Sequence, residues 1–136
     1  MTLTTAQAQT FLEENFAEWV RALDLTVTSI GPQGATLHMP ITPALARVGG
    51  IVSGQALAAL ADTAMVFACA GQMGAFRPVA TTNLDTQFLR PGTGDVVRCE
   101  AEIQRAGKAL IFTRATLIAE PSQKPIAAAT ATFFVP

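Results

Sequence analysis

The chain has 136 residues, of which half are apolar and only 14% charged, with a formal net charge of -1. That length makes one domain, spanning residues 1–136, with room for one real core. A near-neutral balance without a basic stretch excludes the electrostatic footprint of a nucleic-acid or anionic-membrane binder, and so low a charge content points to apolar surface hidden between copies of the chain.

In chain order, residues from about Thr5 to Leu23 carry Phe11, Phe16, Trp19, Val20 and Leu23 at helical spacing, with Glu13, Glu14, Glu18 and Arg21 between them. This predicts one amphipathic helix packed on the domain. Leu25–Ile30 alternates as a strand, G-P-Q-G turns the chain, and Ala35–Ile41 reads as its antiparallel partner. Thr42–Val52, with Pro43 and two glycines, reads as an irregular loop.

The stretch from Gly49 to Gly71 then dominates the sequence: glycines and a serine, followed by a run of small apolar residues rich in alanine. Ala, Leu and Met lose little freedom in a helix. Ser53 is placed to be its N-cap and Gly71 to end it in the left-handed conformation. Nearly all faces are apolar, so the helix should be wrapped by protein. The run Ala56–Ala70 falls short of the ~20 residues of a membrane span and is interrupted by Asp62. That carboxylate, with no cation nearby in sequence, is costly to bury and marks a functional position.

After a loop over 71–78, four strands are expected at about Val79–Leu89, Asp95–Arg105, Ala109–Ala119 and Ile126–Val135, separated by the turn sequences R-P-G-T-G-D, R-A-G-K and E-P-S-Q-K-P. Strands in hairpin order with one very apolar helix give an α+β class, an antiparallel sheet wrapped around that helix. Cys69 and Cys99 read as small core hydrophobes in a reducing compartment. No basic segment followed by an apolar block stands at the N-terminus, so the expected location is cytoplasmic.

Four strings now stand in order: L-A-D-T-A at Leu60–Ala64, F-L-R-P at Phe88–Pro91, G-D at Gly94–Asp95 and G-K at Gly107–Lys108. Together they resemble the phenylacetate-degradation type of acyl-CoA thioesterase, over most of the chain from about Ala35 onward. The resemblance implies the hot-dog fold, a curved antiparallel sheet around one long helix, and hydrolysis of an acyl-CoA thioester without cofactor or metal. It implies Asp62 as general base or nucleophile and the Gly54 N–H as donor to the thioester carbonyl. It matches Thr81 to a strand hydroxyl that orients the carboxylate or water, whereas strand alternation puts Thr82 in phase with Leu84 and Phe88, so both threonines stay open.

The sequence departs from the family pattern at three places: Ser53 stands where the family has histidine, Gln55 where it has a second glycine, and Arg47 where it has asparagine. Ser53 keeps a hydroxyl, and Arg47 suits a carbonyl, carboxylate or phosphate. Arg90, Gly107 and Lys108, at turns and strand ends, join Arg47, Ser53, Gln55 and Thr82 as candidates for holding the coenzyme A substrate. The lone histidine, His38, argues against a histidine-dependent dehydratase or a zinc cluster.

Gly54 and Asp62 are eight positions apart, ~12 Å along a helix. A base and an oxyanion donor must each stand ~3 Å from one reacting centre. One helix cannot supply both, so the expectation is a homo-oligomer with Asp62 of one subunit facing Gly54 of another. A non-catalytic acyl-CoA binder and a purely structural dimer are the alternatives.

Overall fold

The structure, a computed structural model, describes residues 2–136. Two short helices, α1 (Thr5–Asn15) and α2 (Glu18–Arg21), precede the hairpin β1 (Thr26–Gly31) and β2 (Gly34–Pro40). A 3-10 turn at Pro43–Leu45 and the two-residue strands β3 (Ala46–Arg47) and β4 (Ile51–Val52) order the stretch expected as irregular. The long helix α3 (Gly54–Met73) follows, then β5 (Ala80–Phe88), β6 (Val96–Ala106), β7 (Leu110–Glu120) and β8 (Lys124–Phe134). Six strands form one antiparallel sheet in the order β1-β2-β6-β7-β8-β5, and β3 and β4 pair with each other apart from it. Its inner face packs on α3, which makes this a hot-dog fold.

Period-two burial in the strands builds the core. Leu37 and Met39 of β2, Val97 and Cys99 of β6, Ile111 and Leu117 of β7 and Phe133 of β8 point inward and are fully buried beside Leu60, Met65 and Phe67 of α3. By length and composition α3 is apolar enough to cross a bilayer, but its apolar faces are taken up by the chain's own sheet. Burial pushes the Cys69 thiol up to about 12 and the Cys99 thiol higher still, so both behave as inert core groups.

Two expectations from the sequence are corrected. The helix over 5–23 is two helices: Phe16 and Ala17 are extended, with ψ of 156° and 148°. Phe11 stacks on Phe76 and Phe16 on Phe67, at ring distances of 4.5 and 5.5 Å, and Arg21 Nε donates to the Phe16 carbonyl at 3.1 Å. Those side-chain contacts outweigh one more turn of helix, and Trp19 is left 62% exposed. Helix α3 also runs past Gly71 to Gly74, whose φ of 70° is the left-handed cap. Gly71 lies inside the helix and is glycine for a different reason: a Cβ there would stand 2.3 Å from the Gly31 carbonyl oxygen.

Candidate active site

One stripe of α3 is left partly open by the sheet: Gln55, Ala58, Ala59, Asp62 and Val66, spaced along a single helical face. Ser53 caps the start of the helix, its Oγ accepting from the Ala56 N–H at 3.2 Å. The N–H groups of Gly54 and Gln55, the first two of the helix, have no acceptor among the described residues. A helix start of this kind offers directed donors and positive dipole, the requirements of a developing oxyanion.

Asp62 is half-buried, two turns further along. Its Oδ1 accepts a hydrogen bond from Thr81 Oγ1 at 2.9 Å. Burial raises its pKa above the ordinary carboxylate value, and the Thr81 hydrogen bond works in the opposite direction by stabilising the anion.

Strand β5 decides between the two threonines. Its register against β8 shifts between Thr81 and Asn83: Thr81 pairs with Phe133, Asn83 with Thr132 and Leu84 with Ala131. Thr82 is thus the extra residue of a β-bulge, and the bulge brings Thr81 onto the same face as Leu84 and Phe88. Side chains pin it in place. Thr82 Oγ1 donates to the Thr132 carbonyl at 3.0 Å, and Asn83 Oδ1 accepts the Thr132 N–H at 2.9 Å. The alternation that put Thr82 in phase with Leu84 is therefore corrected. Thr82 holds the strand, while Thr81 meets the carboxylate. Asn83 was not singled out by the sequence, since its partner lies 49 residues away.

The other end of β5 reaches the start of α3. The Phe88 ring lies 3.1 Å from where a Gly54 Cβ would be. Here Arg47, Gly54, Phe88 and Arg90 line one cavity of about 410 Å³, so three of the candidates from sequence converge. The Arg90 guanidinium also donates to the Pro125 carbonyl, which holds it at this rim. Gln55 is exposed next to them on α3. Gly107 and Lys108 form the turn between β6 and β7 and do not line this cavity. They lie at the Thr81 end of the sheet, where Ile111, Phe133 and Thr81 share one row, two strands and roughly 10 Å from β5.

The second cavity, about 260 Å³, has Asp62 in its lining together with Phe16, Trp19, Val20, Ala59 and Val66. The aromatic and aliphatic part of this lining went unrecognised in the sequence because it depends on the break after α1.

A helix N-terminus with free amides and an oriented acid on the same helix thus stand together inside a hot-dog sheet. Residues 49–126, more than half of the chain, match the family model of the thioesterase superfamily, and the chain belongs to that superfamily. No curated protein matches the sequence. Among solved structures, a conserved protein from Pseudomonas aeruginosa, PA5202, is 26% identical, with a TM-score of 0.82 over 91% of this chain and 98% of its own. The thioesterase HI1161 from Haemophilus influenzae is 18% identical, with a TM-score of 0.89 over 100% of this chain and 92% of its own. A thioesterase family protein from Silicibacter pomeroyi is 24% identical, with a TM-score of 0.84 over 96% and 97%. At these identities the last two likenesses speak for the fold alone.

Proposed function

We propose that this protein hydrolyses an acyl-CoA thioester, with Asp62 as general base and the Gly54 N–H of a partner subunit as oxyanion donor. The observation that carries the reading is the Thr81–Asp62 hydrogen bond, which fixes one carboxylate oxygen and leaves the other free. A carboxylate with a raised pKa is better matched to taking a proton near neutral pH than an ordinary one. Water attacks the thioester carbonyl carbon while Asp62 takes one of its protons. The oxygen that gains charge is held by the Gly54 N–H. The tetrahedral intermediate then expels the sulfur, the C–S bond breaks, and Asp62 returns its proton to the leaving thiolate. The products are the free acid and the thiol of coenzyme A. In the alternative order Asp62 attacks first and the resulting anhydride is hydrolysed. Arg47 and Arg90, at the rim of the Gly54 cavity, suit the phosphates of coenzyme A.

The edge position of β5 supports a site shared between two copies. No strand covers its outer side, and Leu84, Phe88 and Leu89 on and beside it are 37%, 55% and 53% exposed. The Thr86 hydroxyl of the same strand is buried without a hydrogen-bond partner. One end of β5 holds Asp62 through Thr81, and the other end touches Gly54 through Phe88. Antiparallel pairing of β5 with its copy lays the first end of one strand on the second end of the other. Asp62 of each chain then faces Gly54 of its partner, which removes the ~12 Å separation along a single helix. A homodimer, or a tetramer made of two such dimers, is the assembly this implies.

The test is thiol release from a panel of acyl-CoA esters, with wild type run beside Asp62→Asn. Turnover by the wild type and its loss in the variant is the expected result. Binding of acyl-CoA without turnover in the wild type would identify a ligand-binding protein instead.

A further inference from the structure

Strand β8 serves as a ruler for β5. Along it Thr81 stands opposite Phe133 and Phe88 opposite Ala127, and Asp85, opposite Thr130, lies midway. The bulge at Thr82 makes the two halves equal, because it adds a residue without adding a level. An antiparallel pairing that sets Thr81 of one β5 against Phe88 of its copy therefore sets Asp85 against Asp85 of the partner subunit. Residues directly opposite in such a pair have Cβ atoms ~4.5–5.5 Å apart. Asp85 lies on the face of the sheet away from α3, in one exposed row with Thr130, Arg114 and Glu102. Arg114 Nε donates to Glu102 Oε1 at 2.9 Å, and Arg114 and Asp85 line one depression of about 210 Å³ over the small residues Ala128 and Thr130. Two strand spacings, roughly 10 Å, separate their backbones, a span that an arginine side chain can lean across. The rows on either side put only Asn83 and Gln87 next to Asp85, with Glu100 and Arg105 three strands away. Of the elements packed on β5, α3 brings one ionisable residue, Asp62 on the opposite face, and β8 brings Lys124 at its far end.

We propose that the two-fold axis of the assembled protein runs between the two Asp85 side chains, and that this acid pair, with Arg114 of each chain as its counter-charge, makes assembly of the shared site sensitive to pH. The proposal rests on the shared-site reading above, which sets the register of the two strands. In separate chains each Asp85 carboxylate is exposed to water. In the dimer the two stand directly opposite, and like charges in that position repel. The dimer therefore takes up protons more readily than its separated chains, so association tightens as pH falls from neutral and loosens as it rises. Arg114 leans from Glu102 toward Asp85 in the dimer and offsets part of the repulsion at neutral pH. Asp62 and Gly54 meet only across the dimer, so the acid pair sets the protein concentration at which the site exists, without belonging to the catalytic groups.

Two readouts that need no turnover test this. Asp85→Cys, oxidised with copper phenanthroline, should give a disulfide-linked dimer. Gln87→Cys, off the axis and roughly 14 Å from its own copy, should not. The native Cys69 and Cys99 are fully buried and give no background. Analytical ultracentrifugation then follows the dimer dissociation constant with pH. The wild-type dimer should tighten several-fold between pH ~8 and pH ~5.5, and Asp85→Asn should be about three- to ten-fold tighter than wild type at pH ~7.5 and lose most of that dependence. Arg114→Gln should loosen the dimer when Asp85 is present and leave Asp85→Asn unchanged. In thiol release, Asp85→Asn should stay active at lower protein concentration than wild type, with the same kcat once dimeric. Dimers in which Asp85→Cys fails to cross-link, or in which Gln87→Cys links to itself instead, overturn the axis whether or not the protein turns over. A cross-linked Asp85→Cys dimer with a pH dependence that Asp85→Asn leaves unaltered overturns the pH sensitivity. Thiol release absent from every form, with Asp85→Cys cross-linked and the pH dependence removed by Asp85→Asn, overturns the hydrolase reading and supports the acid pair.

Discussion

Asp62 is a carboxylate whose surroundings pull in two directions. Burial favours its protonated form and the Thr81 hydroxyl favours the anion, with burial the larger influence. The folded chain therefore holds this proton more tightly than the unfolded chain does. Its contribution to stability is full below the unfolded carboxylate value of ~3.9 and is lost as pH rises through the folded value. Asparagine has no proton to lose. Asp62→Asn should accordingly unfold at a higher temperature than wild type at pH 7, with the gap closing as pH falls toward ~3, while turnover drops by ~10²–10⁴-fold. Thermal unfolding across pH and initial rates measure the two effects. Thr81→Val removes the hydroxyl that stabilises the anion, so the acidic limb of the kcat profile should move to higher pH, and Thr81→Ser should restore it. A bulky strand defect would not be rescued by serine. The placement of Asp62 and the Ser53 cap was legible in the sequence because each expresses a local rule, a charge in an apolar helix and a hydroxyl before its start, whereas Gly54 came from the family resemblance. The identity of the Asp62 partner was not, since the bulge that selects Thr81 is fixed by Thr132 on another strand.

At the scale of elements, local pattern located every principal strand within about two residues, because alternation and turn residues are short-range signals. The two errors in the helices have long-range causes. Either Gly71 or Gly74 could end α3 by local rules; Gly74 takes the left-handed cap, and Gly71 is glycine because the Gly31 carbonyl of β1 leaves no space for a side chain there. Gly71→Ala should thus destabilise the protein by about 1–3 kcal/mol, although alanine favours a helix by ~1 kcal/mol in an open context. Calorimetry should find a melting temperature lower by roughly 3–10 °C. An unchanged or raised melting temperature would mean that α3 and the β1–β2 turn are not in such close contact. The interruption of the N-terminal helix is decided in the same way, by Phe67 and Phe76, which follow it in sequence by some fifty residues or more.

For the whole molecule, the low charge content already implied hidden apolar surface, and the exposed β5 edge is where the fold leaves it. In the proposed mechanism, the arithmetic of one helix calls for two copies to one site. What the sequence lacked was the strand proposed to relate them, because the contacts of Thr81 and Phe88 with α3 exist only once the sheet has closed around the helix. The shared site can be separated genetically. Gly54→Pro deletes the N–H at the first helical position, where the backbone tolerates proline because Ser53 before it is already extended at φ -66° and ψ 147°, and its Cβ needs the exposed Phe88 ring, 3.1 Å away, to give by a few tenths of an ångström. Asp62→Asn deletes the base. Each variant alone should be inactive. In a mixed dimer, the Asp62 of the first chain faces the intact Gly54 amide of the second, so one working site returns. Unfolding and refolding the two variants together at equal concentration, then measuring thiol release from phenylacetyl-CoA, is the most direct test. With random pairing, half the dimers are mixed and each has one working site of two, so activity should recover to about a quarter of wild type. Two inactive variants that remain inactive after mixing, with dimers formed, would contradict a site built from Asp62 of one chain and Gly54 of the other.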